Sequence, residues 1–151
     1  MAAKQPSVAQ DSVARTLDII GDRWSFLILR EAFFGVKRFE ALQAHLGIAT
    51  NILSQRLRKL TGAGIFRRDA DPDDGRKRLY RLTEKGRDLY GICLSLMAWG
   101  DRWLADADGS PLALTHRQCG ARTRPLVSCS ACGEPLDARE VDYRLRDADG
   151  R

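Results

Sequence analysis

Three side chains able to read nucleic-acid bases fall on one side of the stretch "IATNILSQRLRKLTGAG", residues 48–64. At about 100° per residue, Leu53, Leu57 and Leu60 share a narrow sector, and Asn51, Gln55 and Arg58 lie opposite. Asn and Gln can bond an adenine edge through two hydrogen bonds, and Arg a guanine edge; a major groove about 12 Å wide admits one helix. Thr50 and Asn51 stand at the N-terminal end, where free N–H groups and the helix dipole suit a phosphate. Thr50 is expected to cap those groups. Ser54 and Lys59 flank the polar face, and Arg56 and Lys59, nearer its sides, suit phosphates better than base edges. A polar face opposite a leucine stripe is also the default for a solvated surface helix, so its neighbours must decide.

A second constellation lies near the C-terminus. His116, Cys119, Cys129 and Cys132 are spaced H-x2-C, nine residues, C-x2-C. Each half has the form of a zinc knuckle, a tight turn with Gly after the second ligand. Three Cys and one His make a closed tetrahedral set, so zinc here would be structural rather than catalytic. Such an ion would stabilise a unit too small for a large core. Two other readings stand beside it: a hairpin with reduced thiols, and a redox pair at Cys129 and Cys132. Cys93 falls on an apolar helical stripe and reads as a small core residue.

The elements that must carry these residues follow from periodicity. Val13, Ala14, Leu17 and Ile20 give a helix over 12–20, closed by Gly21. Asp22 is placed to cap a second helix, about 24–34, apolar on most sides and so central. "VKR" is a connector with room for a strand residue or two. "RFEALQAHLG" predicts a short helix ended by Gly47. After the opening helix, "IFRRDA" and "KRLYRL" alternate as strands around the turn "DPDDGR", a β-hairpin. Arg67, Arg68, Arg76, Lys77, Arg78 and Arg81 make it basic, and Asp69, Asp71, Asp73 and Asp74 offset part of that charge. Arg76 and Lys77, just past the acidic run, are the expected phosphate contacts.

Thr83 is expected to cap one long helix reaching about 104–107, with an apolar stripe through Leu89, Ile92, Cys93, Leu96 and Trp103. "DADGSP" is a linker. The order reads as three parts: an N-terminus over 1–10, a winged helix-turn-helix over 11–107, and a small β unit over 108–151. The fold class is mainly α with a β wing.

These residues resemble a known family. "LDIIGDRWSFLILREAFFGVKRFEALQAHLGIATNILSQRLRKLTGAGIFRRD…YRLTEKG" is similar to the HxlR-type winged-helix transcriptional regulators, a branch related to MarR. The marks are Leu17 to Gly21, Trp24, Ile28 to Arg30, Arg38-Phe39, Leu53 to Leu57 with Leu60, Gly64-Ile65, and Tyr80 through Thr83 to Gly86. The resemblance covers about 11–105. It implies a homodimer whose first and last helices pair, with two reading helices set for a roughly palindromic operator. Some members sense oxidants through a Cys at the start of the first helix. Asp11 and Ser12 stand there in this chain, so that switch does not carry over.

Composition agrees with these readings and narrows them. The chain has 151 residues, 44% apolar, with net charge +5, which permits an acidic partner such as DNA. No apolar run approaches a membrane span, and "MAAKQPSVAQDS" has no apolar leader segment, which favours the cytoplasm. His45 and His116 are far apart, and there is no nucleophile elbow or phosphate-binding Gly loop, so an enzyme is not expected. Trp24, Trp99 and Trp103 read as core, or as the lining of an effector pocket. The expected function is a sequence-specific DNA-binding regulator, a dimeric repressor answering a small molecule or a redox signal. The alternative is a winged-helix interaction or metal-sensing module that does not read DNA.

Overall fold

A computed structural model describes residues 11–143. By internal packing the chain separates at 90/91 into two units, each described by itself. The first holds α1 (Ser12–Ile20), α2 (Arg23–Phe33), α3 (Phe39–Leu46), α4 (Thr50–Gly62), β1 (Phe66–Ala70), β2 (Arg78–Leu82) and α5 (Glu84–Asp88). From Gly91 onward, the second holds nearly all of α6 (Tyr90–Trp103), then β3 (Leu114–Thr115) and β4 (Arg122–Thr123). The fold is mainly α with a β wing, as expected. No described helix is long and apolar enough to cross a membrane.

Local sequence sets each helix start. Asp11 accepts from the amides of Val13 and Ala14, and Asp22 from that of Ser25, so both helices begin on a capping carboxylate. Gly47, at φ 60°, turns the chain out of α3 in the left-handed region that residues with a Cβ avoid. The periodic apolar positions then meet: Ile20, Ile28, Leu29, Leu42, Ile48, Leu53, Leu57, Leu60, Ile65 and Phe66 form one buried cluster. α4 packs on α2, α1 and β1.

The wing is an antiparallel hairpin in which Phe66 faces Leu82, Arg68 faces Tyr80 and Ala70 faces Arg78. The connector after α2 joins it through a bridge between Arg38 and Leu79, and the Tyr80 amide donates to the Lys37 carbonyl at 2.8 Å.

Two expectations are corrected. Thr50 is not the cap of α4. Ala49 takes that position without a side-chain bond, and the Thr50 hydroxyl instead accepts from Gln43 Nε2 at 2.7 Å. The single helix expected after Thr83 is two. Thr83 does cap α5, accepting from the Gly86 amide, but the Leu89 amide returns to Gly86, three residues back, and the α-helical ladder is interrupted there. Leu89 packs against the core, whereas α6 has no buried residue. This is why the unit boundary falls at the start of α6 and not near 107, where the linker composition suggests one.

Gly86 is held by its surroundings. It is buried, and a Cβ there would run into the Ile65 carbonyl oxygen and press on Leu82 Cδ2. Gly86→Ala should therefore destabilise the chain by about 1–3 kcal/mol, the usual range for overpacking, read as a lower denaturant midpoint with an unchanged slope. Gly62→Ala, with open space around it, serves as the control.

Candidate nucleic-acid interface

The face of α4 is made by what lies behind it. Leu53, Leu57 and Leu60 are 0%, 1% and 0% exposed. Asn51, Gln55 and Arg58 are all exposed. The Arg58 guanidinium bonds within its own helix, Nε donating to the Ser54 carbonyl at 3.3 Å. Ser54 is half-buried beside them, and Thr50 is exposed at the helix start. The structure thus brings together on one surface the three side chains whose spacing suggested base reading.

Arg56 and Lys59 sit differently. Both turn toward α2, Arg56 Nε at 3.0 Å and Lys59 Nζ at 3.6 Å from the carboxylate of Asp22. Asp22 thereby caps α2 and also tethers α4. Partial burial pushes its pKa up. Hydrogen bonds from the Ser25 hydroxyl and amide, with the charges of Arg56 and Lys59, outweigh this and leave it below the usual carboxylate value.

A second carboxylate ties α2 to α3. Glu31 is buried, and its oxygens meet Arg30 at 2.8 Å and His45 Nδ1 at 2.9 Å. Burial raises its pKa, but the bonds from Arg30 and His45 bring it below the ordinary value. An ionised carboxylate only accepts, so Nδ1 carries the proton in this bond. His45, which reads from sequence as a dipole partner at the end of its helix, is therefore a link to α2.

The wing sorts its charges. Asp71 is 2% exposed and receives Arg38 twice, from Nε at 2.8 Å and from a terminal nitrogen at 3.2 Å. The same terminal nitrogen reaches Asp73 at 2.6 Å. Asp71 also accepts from the Asp73 amide at 3.0 Å, closing the turn. The Arg38 bonds, then the Asp73 amide, hold the Asp71 carboxyl below its usual range. Asp69 takes Arg67 and Arg81. Arg76 stays out, its side chain 94% exposed and 3.5 Å from Asp74, and Lys77 lies 3.9 Å from Glu40. Sequence reading missed the roles of Arg38, Asp71 and Asp22 as tethers. The signal available was weak, because each partner is more than thirty residues away.

The tryptophans divide. Trp24 packs against the core with the Arg23 guanidinium 5.3 Å from its ring centre. Trp99 and Trp103 are 57% and 61% exposed, so in the single chain they are not core. They line an open groove of the C-terminal unit with Leu112, Leu114, Arg122 and Arg124. Cys93 is half-buried on α6.

The Cys-rich segment forms two pairs. His116 Nδ1 is 3.3 Å from Cys119 Sγ, and Cys129 and Cys132 are hydrogen-bonded to each other. The Cys129 sulfur accepts the amides of Cys132 and Ala131, which lowers its pKa. Among the described residues no three His, Cys, Asp or Glu side chains converge as a metal cluster.

Residues 19–108 match the family described as HxlR-like helix-turn-helix. The chain is 47% identical over 131 residues to the uncharacterized HTH-type transcriptional regulator Rv3095 of Mycobacterium tuberculosis, spanning 87% of this chain and 83% of that one. It superposes on the crystal structure of the candidate transcription factor PA1607 with a TM-score of 0.83 and 39% identity, over 92% of this chain and 96% of the other. The reduced form of the redox regulator HypR gives a TM-score of 0.56 and 32% identity, over 62% of this chain and 96% of that one. The first two matches are too long to exclude the C-terminal unit.

Arg38→Ala should loosen the wing while α1–α4 stay folded, seen as faster hydrogen exchange at the amides of Asp71 and Lys77. Because the pKa of Asp71 is depressed, its contribution is full above the unfolded value, about 3.9, and fades as pH falls through the lower folded value. The wild-type wing should therefore loosen in acid, and the Arg38→Ala wing should show a smaller acid effect.

Proposed function

We propose, on the premise that the chain belongs to the HxlR-like helix-turn-helix family and is a DNA-binding transcriptional regulator, that it acts as a homodimeric repressor reading a near-palindromic operator through α4. The observation that carries this reading is the exposure of Asn51, Gln55 and Arg58 opposite three fully buried leucines. Asn51 and Gln55 suit adenine edges and Arg58 a guanine edge. Thr50, Ser54 and the backbone at the helix start lie where phosphate oxygens pass. Arg56 and Lys59 serve phosphates from the sides of the helix, kept in place by Asp22. Arg76 and Lys77 at the wing tip add contacts to the flanking backbone or minor groove.

The dimer is supported by apolar surface that the single chain does not bury. On α6, Ile92, Leu96, Trp99 and Trp103 are 44–61% exposed, and on α1 Val13 and Leu17 are 66% and 56% exposed. Each of these two helices leaves a row of apolar side chains in solvent, and surface of this kind marks an interface. A small molecule or a redox signal relieves repression by shifting the dimer. The protein works in the cytoplasm with the DNA.

In a gel shift across the DNA upstream of its own coding region, the protein should give a specific complex that weakens steeply with salt. Absence of any salt-sensitive, sequence-preferring complex would sink the reading. Arg58→Ala should relax preference at one base pair by about 1–3 kcal/mol, while Arg76→Ala should weaken all sequences alike and reduce the salt slope by about 1. For the dimer, Leu96→Asp should shift the mass measured by light scattering from twice to once the chain mass, with the helical circular dichroism kept. An unchanged dimer would show that α6 is not the interface.

A further inference from the structure

The two halves of the Cys-rich segment are the same turn built twice. In the first, the His116 amide donates to the Ala121 carbonyl at 3.0 Å and the Gly120 amide to the His116 carbonyl at 2.8 Å. In the second, the Cys129 amide donates to the Glu134 carbonyl at 2.8 Å and the Gly133 amide to the Cys129 carbonyl at 2.8 Å. Position for position, His116 matches Cys129, Cys119 matches Cys132, Gly120 matches Gly133 and Ala121 matches Glu134. Both glycines have positive φ, 71° and 80°, so each turn needs glycine just after its second donor. Each turn is closed by pairing of its flanks: β3 with β4 around the first, and a bridge between Ser128 and Pro135 around the second. Within the second, the amides of Ala131 and Cys132 point at the Cys129 sulfur. Two N–H groups aimed at one sulfur form a cradle for a thiolate and do little for a neutral thiol.

The surroundings ask for a ligand. Among described residues 91–143 none is buried, so this ordered segment has no apolar core to hold its turns. Leu126, Val127 and Leu136 are 61%, 61% and 48% exposed. Disulfide framework and metal are the usual substitutes in a segment of this size. Disulfides are not formed: Cys119, Cys129 and Cys132 are thiols. The donor set of three thiols and one imidazole is that of a closed structural zinc site.

We propose that His116, Cys119, Cys129 and Cys132 bind one Zn²⁺, each turn contributing two donors, and that the metal takes the place of a core in the C-terminal unit. The donors stand as two pairs, each within its own turn, and no three of them converge, so the ion must draw the two turns together. The ion joins the pairs, displacing the thiol protons of the three Cys to solvent and leaving three thiolates and a neutral imidazole around the dication. Four protein ligands leave no open position, so the site is structural. The inference is independent of the DNA reading of α4.

The test is metal content of the full chain, purified without chelator and dialysed, by plasma mass spectrometry. One zinc per chain is expected in the wild type and in Cys93→Ser, and less than a tenth of that in Cys119→Ser and in Cys129→Ser. His116→Cys should keep the zinc, since it preserves a four-donor set, and this distinguishes ligation from a folding defect. The Co²⁺-loaded wild type should show thiolate charge-transfer and tetrahedral ligand-field bands. Chelator should open Arg117 and Arg122 to trypsin while leaving the helical circular dichroism of the winged-helix unit unchanged. Metal-free protein overturns the proposal, as does a Cys129–Cys132 disulfide in the reduced preparation. Zinc that survives Cys119→Ser but not Cys129→Ser overturns the four-donor site.

Discussion

The orientation of α4 depends on the burial of Leu53, Leu57 and Leu60 against the core. Each is at most 1% exposed, and burying a leucine side chain fully stabilises a fold by roughly 1.5–3 kcal/mol. Turning the helix by a third of a revolution would expose the stripe and lose most of that. The polar face is therefore aimed by what lies behind it and not by its own contacts. The Arg58 bond lies within its own helix, and Asn51 and Gln55 are exposed beside it, so this face stands open to solvent. The core also sets the spacing between α3 and α4, because Leu42 of α3 and Ile48 of the turn are both buried in it.

Charge is then distributed over this rigid frame with a consistent logic. Carboxylates that sit inside, Asp22, Glu31 and Asp71, hold basic side chains against the body of the protein. Arg58 on α4 and Arg76 at the wing tip are not drawn into these three tethers, while Arg56 and Lys59 are held by Asp22 at the sides of α4. The acidic run in the wing, which at first sight opposes DNA binding, is partly consumed in this way: Asp71 closes the turn and binds Arg38, and Asp69 takes Arg67 and Arg81. Arg38 reaches both Asp71 and Asp73, so one cation neutralises two of the acids and fixes the hairpin to the start of α3. The outer pairs, such as Arg67–Asp69, add little to stability one by one, but together the pairs decide which cations remain available.

Much of this was legible in the sequence, and the failures have physical causes. Helices α1 to α4 and the hairpin each bury one face, so period and turn residues reveal them: Asp11 and Asp22 cap, Gly47 stops, and Phe66 pairs with Leu82. Thr50 misled because a hydroxyl at a helix start has competitors, and here Gln43 takes it. The break at Leu89 was hidden because a one-residue tightening leaves the apolar period nearly intact. Trp99 and Trp103 misled for a deeper reason. A stripe tells that a face is to be buried but not which surface buries it, and among the described residues nothing covers that of α6 completely. The tethers Arg38–Asp71 and Asp22–Arg56 join residues distant in sequence, and no local pattern announces such pairs.

The two units solve the problem of order in opposite ways, and this bears on how each can change. In residues 11–90 the helices share one apolar cluster, so a local shift in α2 is felt in α4 through Ile28, Leu29 and Leu57. Close-packed interiors transmit strain because they have few alternative packings. In residues 91–143 the order rests on the helix α6, backbone turns, one short strand pair, one isolated bridge and glycines at positive φ, with apolar side chains left in solvent. On the proposals above, an ion held by the sulfurs or a second chain on the exposed face of α6 would supply what a core supplies elsewhere. The stability of that unit would then follow the concentration of what binds, while that of the winged helix rests on its own core.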